Sequence, residues 1–155
     1  GGFSTEDIMA RTLTPETIAI VKSTGTALQQ HGLEITKRMY QRLFENAEVK
    51  AMFDQAAQES GDQPQRLAAA ILAYAQNIDK LGNLSGAVAR MVTRHVETGV
   101  KAEHYPYVAE ALLPAIKDIL GDAATDEILG AWGEAYWFLA DILIAEEAKA
   151  YAAAS

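Results

Sequence analysis

Apolar residues recur three and four positions apart along almost the whole chain, with glycine and proline as sparse punctuation, and this spacing predicts helices. Thr14-Pro15-Glu16 reads as a helix start: a hydroxyl to cap free amides, proline at the first helical position, then an acid. That helix is expected to reach about Gln30, with Gly32 as the interruption. A second helix puts Leu33, Thr36, Tyr40, Leu43 and Phe44 on one face and ends near Asn46, followed by a short turn from Val49 to Phe53. Residues 54–61 lack an apolar period and read as a mobile loop. A helix from about Asp62 to Asp79 then aligns Gln63, Leu67, Ile71, Tyr74 and Ile78. After Gly82, the residues Val88, Met91, Val92 and His95 mark another, which Gly99 ends.

Two long helices close the chain. One runs from about Glu103 to Leu120 with Tyr105, Val108, Leu112, Ile116 and Ile119 inward. The other runs from Thr125 to about Lys149 with Leu129, Trp132, Tyr136, Leu139 and Leu143 inward. No strand pattern or fixed-period repeat interrupts them, so the predicted class is all-α. Six or seven helices of unequal length do not make a simple four-helix bundle. The short segment near residue 50, between two long helices, points to a globin arrangement.

The 155 residues are half hydrophobic and 22% charged, which fits one globular domain. Thirteen basic against twenty-one acidic residues leave a net charge of −8. That balance speaks against a nucleic-acid partner and against docking on an anionic membrane. Without cysteine there is no disulfide, thiolate metal site or cysteine nucleophile, and a cytoplasmic setting fits. No apolar run is expected to approach the roughly 20 residues that cross a bilayer. The polar start GGFSTEDIMA lacks a secretory segment. Residues 1–8 read as a tag or leader remnant, leaving 9–155 as one domain.

His95 is the first candidate for chemistry, because it sits on the apolar stripe of its helix. A buried histidine bonded to a backbone carbonyl is one reading; an axial ligand to a metal centre is the other. No second histidine or carboxylate pair lies at zinc spacing, whereas haem iron needs one such ligand. His31 and His104 are expected at helix starts, in solvent. Tyr40 and Gln63 are polar groups on otherwise apolar stripes; each could bond to backbone, or donate to a ligand with partial negative charge such as dioxygen. Pro64 places Gln63 at the lip of its helix.

Glu147 continues the Trp132, Tyr136, Leu139, Leu143 stripe by one more turn, so a carboxylate faces inward. It could pair with a tyrosine hydroxyl or with the ring N–H of a ligand histidine. A reversal at residues 122–123 sets Tyr105 opposite residue 140, with residue 147 roughly 10 Å further along. Trp137 falls off the inner stripe and reads as a partner-surface anchor, with a homodimer among the options. Phosphate-loop and nucleophile-elbow motifs are absent.

From about Leu13 to Tyr151 the chain resembles the globin domain of bacterial flavohaemoglobins and Vitreoscilla-type single-domain haemoglobins. The resemblance lies in MYQRLF around Tyr40, in Phe53, in GDQPQRLAAAILAYAQNID, in RHVETGVKAEHYPYV, in LGDAATDEILGAWGEAY and in EEAKAY. It implies haem b held by His95, with Phe53, Leu67 and Met91 as further haem-pocket residues. Tyr40 and Gln63 then serve the bound ligand, while Tyr105 and Glu147 hydrogen-bond around His95 and favour dioxygen activation and NO dioxygenation. Pro114 stands where the family more often has alanine and is expected to kink its helix. Trp137 stands where the family usually has a small residue.

The expected function is therefore a haem b globin that binds dioxygen, NO or CO at ferrous iron. NO dioxygenation would follow if a reductase partner supplied electrons, because no FAD or NAD site is expected in this chain. Two alternatives stand beside it: a haem-free globin-fold sensor or interaction module, and the globin half of a longer flavohaemoglobin.

Overall fold

Thr14 caps α1 (Pro15–Ser23) by accepting the Thr17 amide at 3.1 Å, and Pro15 occupies the first turn, where no amide partner is needed. The computed structural model describes residues 13–51 and 63–154. The further long elements are α2 (Gly25–Leu43), α3 (Gln63–Gln76), α4 (Ser85–Thr98), α5 (Tyr105–Leu120) and α6 (Asp126–Ala154). Short 3-10 turns precede α4, α5 and α6, and there is no strand among the described residues. Residues 47–51 are helical, with the Asn46 side chain accepting the Glu48 and Val49 amides at 3.0 and 3.2 Å. Phe53, the predicted 54–61 loop and residues 1–8 lie outside the described residues.

The break between the first two helices falls at Thr24 and not at Gly32. The Thr24 hydroxyl donates to Val21 O at 2.6 Å and accepts the Trp132 indole N–H at 2.9 Å. This buried pair ties the α1–α2 corner to α6. Gly32 is buried inside α2, where a Cβ would come 3.6 Å from that of Ala68 in α3. α2 continues through it, and a methyl there would sit at ordinary contact distance.

Two histidine expectations are corrected as well. His31 lies within α2 and not at a helix start, although its side chain is 42% exposed as expected. His104 is not solvated: its side chain is 15% exposed, and its Nδ1 accepts the Lys101 amide at 2.9 Å.

The main core gathers Val21, Ile35, Met39, Ala115, Trp132 and Ala135 from α1, α2, α5 and α6. A second cluster forms where Tyr105, Ala140 and Leu143 meet Val88, Met91 and Val92 of α4. α2 lies against α3 and α5, α1 against α6, and α4 against α6. α5 runs through Pro114, which borders an apolar surface groove with Pro106, Ala109, Leu113 and Trp137. Trp137 is 37% exposed, in keeping with its place off the inner stripe.

α6 is long and apolar enough to cross a membrane by length and composition, contrary to the sequence expectation that no run comes near. α6 is flanked by α1, α4 and α5, yet less than a third of its most apolar window is buried among the described residues.

The space beside Gly32 yields a stability prediction. Gly32→Ala should stabilise the chain by about 0.5–1 kcal/mol, because helix propensity improves and the new methyl meets Ala68 at ordinary contact distance. Urea unfolding checks it; a loss above about 1 kcal/mol would show that α2 and α3 cannot yield.

Candidate functional site

Val88, Met91, Val92 and His95 line one face of α4, as their spacing predicts, yet none is fully buried. α4 stops at Gly99, whose φ of +80° is open to glycine without strain. His95 therefore stands on the last turn, turned toward α6.

Glu147 arrives there from α6 and is only 3% exposed. Its Oε2 lies 2.7 Å from His95 Nδ1, and its Oε1 accepts the Tyr105 hydroxyl at 2.7 Å. The Tyr105 oxygen is also 3.1 Å from His95 Nδ1. A carboxylate only accepts, so the geometry puts a proton on Nδ1; in the neutral imidazole the lone pair then lies on Nε2. Burial, and the carboxylate beside it, push the Tyr105 phenol well above its usual range and keep it a donor.

The hairpin arithmetic places Tyr105 opposite residue 140, and the structure agrees: Tyr105 packs with Ala140 and Leu143. The Tyr136 hydroxyl donates to Tyr105 O at 2.6 Å and holds that register. The remaining span to Glu147 is covered by the length of the tyrosyl side chain. Sequence reasoning left Tyr136 as a core residue; the signal was a hydroxyl on an apolar stripe, which must find a partner.

Tyr40 is buried on α2 with its ring 5.6 Å from that of Phe44. Burial pushes its phenol up to about 12, with the Arg66 charge opposing. It is thus a neutral donor at physiological pH. Gln63 is the first residue of α3, and its buried Oε1 has no hydrogen-bond partner among the described residues. The Thr36 hydroxyl, one turn before Tyr40, lies 3.0 Å from Pro64 O and fastens the start of α3 to α2. Leu67 follows one turn on, half-buried. α4 packs chiefly on α6 and on the turn before it, rather than on α2 or α3. The structure thus joins His95, Tyr105 and Glu147 in one cluster, with Tyr40, Gln63 and Leu67 on a separate helix pair.

The globin family model matches residues 37–143, and the chain belongs to the globin family. It is 51% identical over 140 residues to a flavohemoprotein of Xylella fastidiosa, covering 90% of this chain and 35% of the relative. A flavohemoprotein of Bordetella pertussis is 46% identical over 144 residues, with 92% and 36% covered. The chain thus spans about a third of the length of these curated relatives.

Among solved structures, an engineered carbene transferase from Rhodothermus marinus, described as a candidate nitric oxide dioxygenase, superposes with a TM-score of 0.86 at 42% identity, covering 92% of this chain and 99% of that one. A bacterial globin from Campylobacter jejuni gives 0.81 at 41%, with 90% and 99% covered. A flavohemoglobin from Malassezia yamatoensis with bound FAD and haem gives 0.79 at 32%, covering 90% of this chain and 38% of that one.

The raised Tyr40 phenol carries a pH signature. Its proton is bound more tightly in the folded chain, so its contribution to stability is complete below pH 10.0 and is lost as pH rises through about 12. Comparing unfolding free energies of the chain and of Tyr40→Phe across that window should show the difference shrinking; a constant difference would contradict the assignment.

Proposed function

We propose that this chain would hold haem b through His95 Nε2 and, so loaded, bind dioxygen, NO or CO with Tyr40 as a hydrogen-bond donor to that ligand. The carrying observation is the buried Glu147 carboxylate on His95 Nδ1, which leaves Nε2 free to ligate. One feature fits a flat apolar cofactor. The apolar stripe of α4 is only half-buried by the described residues. Haem, when bound, supplies the iron centre for a diatomic ligand and its one-electron chemistry.

The chain's own residues do the rest. Glu147 accepts the Nδ1 proton and raises the basicity of Nε2. Tyr105 holds the other carboxylate oxygen, so the acid cannot swing away. Tyr40 offers a neutral hydroxyl to negative charge developing on the ligand, and Gln63 a second donor. Leu67 and Met91 would supply apolar walls that exclude water.

NO dioxygenation is the activity this arrangement supports best, with electrons from a reductase that carries FAD and uses NAD(P)H. The flavohemoprotein relatives, of which this chain spans about a third, support such a partner. A cytoplasmic location goes with that reading.

An absorption spectrum of the purified chain, ferric and then reduced, before and after carbon monoxide, is the decisive test. A Soret band that shifts with carbon monoxide is expected, and its loss in His95→Ala; no band after haem addition would sink the proposal and favour a haem-free module. Tyr40→Phe should speed dioxygen release by roughly 10- to 150-fold, the worth of one charge-assisted hydrogen bond. Stopped-flow release rates measure this, and an unchanged rate removes Tyr40 from the ligand site.

A further inference from the structure

Glu147 is not the only residue of α6 to reach the end of α4. One turn on, the Tyr151 hydroxyl lies 2.6 Å from the carbonyl of Val100 and 3.5 Å from that of His95. Those two residues belong to one cap. The Val100 amide donates to His95 O at 2.8 Å and the Gly99 amide to Val96 O at 3.3 Å, the paired closure of a glycine-ended helix. His95 thus supplies the carbonyl on which the cap closes. If the cap opens, the backbone carrying the imidazole is free to turn while Glu147 holds only the ring. A phenol has one hydrogen, and the shorter contact directs it to Val100 O.

We propose that Tyr151 is a positioning residue for His95. Two consecutive turns of α6 hold the histidine at two points: Glu147 at the imidazole, Tyr151 at the cap behind it. Together they set the angle at which Nε2 points. What that angle serves rests on the haem-binding reading; the tether itself does not.

The test is Tyr151→Phe in the full chain, with Tyr107→Phe, an exposed tyrosine, as control. In the haem-free chain, hydrogen exchange of the amides from Val96 to Val100 should quicken by roughly 2- to 10-fold, the worth of one hydrogen bond, with α5 unchanged. In the haem-loaded ferrous chain, the iron–imidazole stretching band should shift or broaden in Tyr151→Phe and stay put in the control. Unchanged exchange overturns the tether. Faster exchange with an unmoved band overturns the positioning role. Failure of the wild-type chain to take up haem would instead sink the haem reading, and the tether would stand or fall on exchange alone.

Discussion

A carboxylate removed from water must be paired or lose its charge, and Glu147 meets that demand with two partners from two other helices. Its oxygens are divided between the His95 ring N–H and the Tyr105 hydroxyl. Three elements, α4, α5 and α6, are thereby held to one register at a buried point. Taking one partner away would leave a buried carboxylate oxygen without its donor, at a cost of about 1–3 kcal/mol. The same contact decides the tautomer of His95. Packing and chemistry are thus set by one hydrogen-bond pattern.

The rest of the molecule is divided around that point. α1, α2, α5 and α6 share a continuous core and are anchored by such polar pairs as Trp132 with Thr24. α4 has no fully buried residue and leans mainly on α6. A helix so held draws its placement from a few directed contacts, and those contacts converge on His95. Local stability of this kind suits an element that must accommodate a ligand.

The globin chemistry proposed for this chain is divided in a comparable way. Its own residues can hold a cofactor, hold the proton on Nδ1 and offer donors to a small ligand. In that proposal electron supply falls to a separate reductase partner.

Much of this was legible before any coordinates. Helix class follows from apolar spacing, and His95, Tyr40, Gln63 and Glu147 stood out as polar groups on apolar stripes, a local conflict that usually marks function. The likeness to bacterial globins gave them roles. What linear spacing could not decide was long-range. Gly32 read as a break because its packing partner, Ala68, lies on another helix, while Thr24 became the corner through an indole far along the chain. Glu147 seemed about two turns out of reach of Tyr105, since backbone rise takes no account of how far a tyrosyl side chain extends. Tyr136 read as an ordinary stripe residue, because its hydroxyl's partner is a backbone carbonyl that only the folded chain brings near. Sequence alone determined which residues want to be buried and which of them carry chemistry; tertiary structure decided which of those meet, because hydrogen bonds depend on positions in space that local periodicity does not encode.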